Sequence, residues 1–155
     1  MRPTRQRLAT AIAVPLLLVA ACGGDADPSP TAAEADAPAE DVIEAAPGIR
    51  VVSPAEGAAI QTSPPDGLVV LDVRTLEEFN EGHLDGATMI DFYGTDFEAQ
   101  LAQLDKDTPY LLYCRSGNRS GQTRALMEEL GFTDVADVDG GILAWVDAGL
   151  PVTAP

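Results

Sequence analysis

The sequence predicts an α/β fold with a mainly parallel central sheet and helices on both faces. Short apolar runs rich in β-branched residues alternate with stretches of helical spacing from Ile49 to Leu150. One of those runs, Leu68-Val69-Val70-Leu71, is continuous rather than alternating, as expected of a strand covered on both sides. Two capping boxes, Ser53-Pro54-Ala55-Glu56 and Thr75-Leu76-Glu77-Glu78, start helices soon after apolar runs. Strand then helix, repeated, favours parallel pairing through crossover helices.

Each element has its own local reason. Ile49–Val52 reads as a short strand, and Pro54 at the first helical position starts a helix that the Pro/Gly-rich Thr62–Gly67 keeps brief. Leu68–Leu71 is the buried strand and ends at Asp72. The helix opened by Thr75 is expected to close at Gly82. Thr88–Ile90 is a brief strand, and Phe97–Leu104 has helical spacing with Phe97, Leu101 and Leu104 on one side. Tyr110–Tyr113 is the next strand. Gln122–Leu130 follows as a helix with Ala125, Leu126 and Leu130 inward and Gly131 as its stop. Val135–Val138 supplies a strand, Ile142–Ala148 a helix, and Gly149-Leu150-Pro151 a terminator. No internal repeat is present, and one domain over residues 48–155 is expected.

The chain before it reads differently. Met1–Arg7 carries Arg2, Arg5 and Arg7 and no acid, Leu8–Ala21 is apolar apart from Thr10, and Ala20-Ala21 precede Cys22. Basic, apolar and small-residue regions in that order read as a secretory signal peptide over residues 1–21, too short in its apolar run to span a membrane. Val19-Ala20-Ala21-Cys22 resembles a bacterial lipobox, which implies cleavage before Cys22, a lipid on its sulfur, and a protein exported to the cell envelope and held at a membrane. Ordinary cleavage nearby, with Cys22 free, is the alternative. Residues 22–47 lack aromatics and are dominated by Ala, Asp, Glu and Pro, so they read as a disordered acidic linker.

The full chain has 9 basic and 25 acidic side chains. Losing the three arginines of the signal segment leaves 6 against 25, a net of −19. That balance argues against nucleic acid and against docking on anionic lipid, so a fatty anchor would supply any membrane attachment. Single-domain size makes a monomer the expectation.

The chemistry concentrates in Cys114-Arg115-Ser116-Gly117-Asn118-Arg119-Ser120, between the Tyr110–Tyr113 strand and the following helix. Loop N–H groups and unpaired helix N–H groups make a pocket of positive potential, to which Arg115 and Arg119 add charge. A thiol there ionises more easily than a free cysteine. Gly117 permits a backbone angle that other residues resist, while Ser116, Asn118 and Ser120 offer donors or simply form the turn. Arg119 serves anion binding or loop bracing. With Cys22 lipidated, Cys114 has no disulfide partner in the chain. A buried structural thiol is the bland reading; the glycine and two arginines around it favour a nucleophile.

Three motifs in order resemble the rhodanese-like sulfurtransferases: Asp72-Val73-Arg74 continuing to Glu78-Phe79 and Gly82-His83-Leu84-Asp85-Gly86-Ala87, then the cysteine loop, then Gly140-Gly141-Ile142-Leu143-Ala144-Trp145. The resemblance spans roughly Ile49 to Leu150 and implies a rhodanese-like fold in which Cys114 carries a persulfide. A small sulfur donor such as thiosulfate would load it. A thiol, cyanide or a protein acceptor would unload it, with no metal or organic cofactor required. It also implies that Asp72, Arg74 and His83 are structural supports. Glu78, four residues after Arg74, is expected to pair with it, and Trp145 to pack in the core.

Other chemistries fit less well. One histidine and one available cysteine cannot make the usual Cys/His zinc site, and no GxxxxGK[ST] or GxGxxG loop is present. A Cys-His pair needs His83 beside the thiol, and nothing in the pattern puts it there. Dual-specificity phosphatases of the same fold have a loop one residue longer between cysteine and arginine. Four residues separate Cys114 from Arg119 here, which suits the outer sulfur of a persulfide better than a phosphate. A persulfide carrier or partner-binding module with little turnover is the alternative from a different class.

Overall fold

The computed structural model describes residues 46–154. The expected signal segment, Cys22 and the linker as far as residue 45 lie outside the described residues. The elements run β1 (Ile49–Val52), α1 (Pro54–Thr62), β2 (Val69–Asp72), α2 (Leu76–Glu81), β3 (Thr88–Met89), α3 (Phe97–Ala102), β4 (Tyr110–Tyr113), α4 (Asn118–Leu130), β5 (Val135–Val138) and α5 (Gly141–Asp147). All pairings between these strands are parallel, in the order β1-β5-β4-β2-β3. This is the mainly parallel α/β architecture the sequence predicts. Among the described residues, no helix is long and apolar enough to cross a membrane.

Alternation of side chains along each strand sorts the core into two layers. Leu71, Leu112, Cys114 and Val135 pack on one face with Phe97 and Leu101 of α3 and Met127 of α4. Val70, Leu111, Tyr113, Ala136 and Val138 pack on the other with Trp145 of α5 and Ala58 and Ile60 of α1. Fully burying one such aliphatic side chain contributes about 1.5–3 kcal/mol, so both faces of β4 and β5 are strongly held. Both capping boxes form. The Ser53 hydroxyl accepts from the Glu56 N–H at 3.3 Å and the Glu56 carboxylate accepts from the Ser53 N–H at 2.7 Å. Thr75 and Glu78 exchange the same bonds at 3.3 and 3.1 Å.

Two expectations need correction. α4 starts at Asn118, four residues before the expected Gln122, so Asn118, Arg119 and Ser120 form its first turn instead of a loop. Its cap is Gly117 in the left-handed region (φ +88°), with no side-chain cap to announce it. The inward face of α4 matches the expected one only in part, since Leu126 and Leu130 pack against the core but Ala125 does not. Ala125 is exposed, Leu126 and Leu130 are half-buried, and Ser120, Thr123 and Met127 are buried. The reason is the polar floor beneath the helix's first turns, where Cys114 and the strand carboxylate Asp137 lie. Small hydroxyl residues fill that space, and an apolar-only pattern overlooks them.

Candidate active site

Strand β4 ends at Tyr113, and Cys114 follows at the carboxyl end of the sheet, where open α/β sheets place ligands. The cysteine is fully buried, whereas Arg115, Ser116 and Asn118 around it are exposed. The Gly117 N–H donates to its sulfur at 3.2 Å. Burial pushes the thiol's pKa up, but hydrogen bonding from the Ser120 hydroxyl and N–H and from the Ser116 and Gly117 N–H groups outweighs it, and the net shift is downward. α4, at 13 residues, points its N-terminus at the sulfur and adds its dipole in the same sense.

The loop is pinned from its far side by α5. The Ile142 N–H donates to the Cys114 carbonyl at 2.9 Å and the Leu143 N–H to the Arg115 carbonyl at 3.1 Å. This approach requires glycine. A Cβ on Gly141, whose φ is +61°, would lie 2.4 Å from the Cys114 carbonyl oxygen. The Gly140-Gly141 motif is thus a fitting that holds the cysteine loop, while Trp145 is buried in the core and donates its indole N–H to the Pro151 carbonyl at 2.9 Å.

The ion pairs differ from those expected. Glu78 does not pair with Arg74, because α2 begins at Leu76 and the two residues never share a helical face. Arg74 turns back on Asp72, with its Nε 2.9 and 2.8 Å from the two carboxylate oxygens and Nη2 2.6 Å from Oδ2. Its Nη2 also donates to the Gly82 carbonyl at 2.7 Å, which fastens the Gly82-His83 turn to the end of β2. Glu78 instead takes Arg119 through two bonds of 2.7 Å. Those two bonds, helped by hydrogen bonds from Thr75 and opposed by burial, hold the Glu78 carboxyl down at about 2. The Tyr93 ring covers the same guanidinium, with Cζ 5.6 Å from its centroid.

Arg119 is therefore a brace between α2 and α4, and its charge is matched by Glu78. The local excess of positive charge expected from two arginines is reduced to the exposed Arg115. His83 is held by its surroundings: its ring stacks on Phe79 at 4.0 Å, its Nδ1 is 3.0 Å from the Phe79 carbonyl, and its backbone bridges Thr153. Sequence reasoning overlooked Tyr93, Tyr113 and Asp137. Tyr113 accepts the Leu84 N–H at 3.1 Å and lies under Arg74, whose Cζ is 5.5 Å from the ring centroid. Asp137 was legible only as an acid in the otherwise apolar Val135–Val138. Among the described residues, no cluster of His, Cys, Asp and Glu could hold a metal ion.

The fold and the loop define a class by their geometry: a buried thiol at the carboxyl end of a parallel sheet, its pKa lowered by surrounding hydrogen-bond donors, under a braced loop. The chain matches the Rhodanese-like domain family over residues 55–148, and it belongs to that family. It is 32% identical over 90 residues to a sulfurtransferase of Allochromatium vinosum, covering 58% of this chain and 82% of that protein. With the thiosulfate sulfurtransferase GlpE of Pseudomonas entomophila it shares 34% identity over 95 residues, 61% of this chain and 82% of the relative. A crystal structure of a rhodanese-related protein from Thermoplasma volcanium superposes with a TM-score of 0.60 at 27% identity, covering 68% of this chain and 99% of that one. The rhodanese-like domain protein of Staphylococcus aureus gives a TM-score of 0.56, also at 27% identity, over 68% and 99%.

Proposed function

We propose that this protein is a sulfurtransferase that moves sulfane sulfur from a donor such as thiosulfate to a thiophilic acceptor through a persulfide on Cys114. The observation that carries this reading is the Cys114 sulfur itself, with its pKa lowered despite complete burial and the Gly117 N–H aimed at it. The thiolate attacks the outer sulfur of thiosulfate, the S–S bond to the sulfonate breaks, and sulfite leaves with the bonding pair. The N–H groups around Cys114 that favour a thiolate also favour the persulfide anion, so one difficult transfer becomes two easier ones. The acceptor then attacks the outer sulfur and releases Cys114 as thiolate. Arg115, exposed and in no ion pair among the described residues, meets the anionic donor.

One observation favours a second reading. Glu78 neutralises Arg119, and the whole chain is acidic, so small anionic donors meet little attraction at the site. A persulfide carrier with slow small-molecule turnover fits that field. Intact-protein mass after incubation with thiosulfate, for wild type and Cys114→Ser, tests both readings, with cyanide added afterwards and thiocyanate followed. A gain of one sulfur on wild type alone, discharged over many cycles, supports the enzyme. A stoichiometric gain with slow discharge supports the carrier, and full activity in Cys114→Ser overturns both.

The reading extends to placement: residues 1–21 direct export, Cys22 carries a lipid, and the acidic linker tethers a monomeric domain in the bacterial envelope. Labelled fatty acid retained by wild type and lost in Cys22→Ala is the expected result. Equal labelling of the two proteins would refute it.

A further inference from the structure

On the outer side of α5 the protein leaves apolar surface open. Leu143, Val146 and Val152 are 51%, 53% and 42% exposed, and together with Ile142 they line one groove of about 470 Å³. Three of the six exposed large apolar side chains among the described residues thus gather on one small face. Scattered singly they would need no account, but gathered they mark a surface for a partner. Leu143 and Val146 lie three residues apart and so share a face of the helix. The core does not need them, because α5 is already anchored by Trp145 at 1% exposure.

The rim of this groove is acidic. Glu81 is the last residue of α2 and Asp147 the last of α5, and both line the groove exposed. Neither belongs to an ion pair among the described residues, and no basic side chain lines the groove. A carboxylate at a helix C-terminus meets the negative end of the helix dipole, so neither acid is placed to stabilise its own helix. Their complement has to come from outside the domain.

Charge also decides between occupants. A second copy would bring a chain with 9 basic and 25 acidic side chains against two carboxylates. Residues 22–47 carry acids and no base, so the chain's own linker is opposed in the same way. A basic partner is attracted instead, and the acidic field that gives small anionic donors little attraction steers it in. The groove is also placed for the chemistry. Ile142 and Leu143 donate their N–H groups to the Cys114 and Arg115 carbonyls at 2.9 and 3.1 Å, so the near wall of the groove is the fitting that holds the cysteine loop.

We propose that this groove docks a protein acceptor of the sulfur. An apolar side chain of that partner lies against Leu143, Val146 and Val152, and lysine or arginine residues flanking it pair with Glu81 and Asp147. The inference rests on the sulfur-transfer reading, and its test has one arm that needs no sulfur.

Three peptides serve as probes: one of alternating lysine and leucine with a terminal cysteine, an acidic twin with glutamate for lysine, and a polar twin with serine for leucine. Binding to the full chain is followed by nitrogen-15 NMR without any sulfur donor, with serine replacing the terminal cysteine of each peptide. The lysine–leucine peptide should shift the Leu143, Val146 and Val152 amides, and the twins should not. Glu81→Gln combined with Asp147→Asn should weaken that binding roughly five-fold, the size of two exposed ion pairs. Val146→Ser should weaken it as well. The melting temperature of the charge variant should stay level or rise, which acids serving the fold itself would not allow. After loading with thiosulfate, the cysteine form of the lysine–leucine peptide should discharge the persulfide several-fold faster than its twins, and both variants should lose that advantage.

Equal shifts from all three peptides, or shifts that the variants leave unchanged, would overturn the proposal. A dimer in sedimentation that Val146→Ser dissociates would also overturn it and assign the groove to a second copy. Groove binding by a protein that takes no sulfur from thiosulfate refutes the sulfur-transfer reading alone. Sulfur uptake followed by equal discharge to the three peptides refutes the docking alone.

Discussion

Replacing Glu78 by glutamine removes one charge and almost no volume, and the structure says what that charge holds. A Gln carbonyl oxygen can still accept the Thr75 N–H, so the capping box survives. What is lost is the ionic grip on Arg119, which ties α2 to the first turn of α4. Arg119 is the first cause that lowers the Glu78 carboxyl from its ordinary 4.5 to about 2. That difference sets an upper bound of about 3 kcal/mol on the pairing. The side chains are 12% and 21% exposed, so solvent screening brings the expected loss to about 2 kcal/mol. A carboxyl with a depressed folded-state pKa stabilises fully above its unfolded value. That contribution drains as pH falls through the folded one. Urea unfolding of wild type and Glu78→Gln should therefore differ by about 2 kcal/mol at neutral pH, with the gap narrowing below about pH 4.5 and closing near 2. A gap that stayed constant from neutral pH down to about pH 3 would refute the assignment, because the pair would then be contributing through shape rather than charge.

Four further outcomes follow from the same geometry. Gly141→Ala puts a methyl group 2.4 Å from the Cys114 carbonyl, so thermal unfolding should show a loss of about 2–4 kcal/mol and alkylation of Cys114 should lose its low-pH onset. Gly131→Ala, with φ +88° but open space around it, should cost only about 1–2 kcal/mol and leave the thiol unchanged. Arg115→Ala should leave stability within about 0.5 kcal/mol while raising the KM for thiosulfate several-fold, and an unchanged KM would remove Arg115 from donor binding. Trp145→Ala, at a side chain 1% exposed, should destabilise by about 3–5 kcal/mol in urea or heat.

The fold was legible where local rules and burial agree. The Leu68–Leu71 run, the two capping boxes and the Gly131 stop each place an element to within a residue or two, because propensity, cap and packing all point the same way. The start of α4 was not, since Gly117 caps it by backbone conformation and Asn118-Arg119-Ser120-Gly121 has the composition of a turn. The cysteine could be singled out from the glycine and arginines beside it. The partners of those arginines could not. Glu78 and Arg119 are 41 residues apart in sequence, and only the fold brings them together.

The sheet order also sets a timetable. Among the described residues β1 comes first yet finds its only strand partner in β5, with the Gly48 carbonyl accepting the Val135 N–H. The cysteine loop, likewise, is closed by N–H groups from Ile142 and Leu143. Both closures wait for the last third of the sequence, and long-range parallel pairing is slow to form. The surroundings that lower the Cys114 thiol's pKa are therefore complete only with the final assembly of the domain.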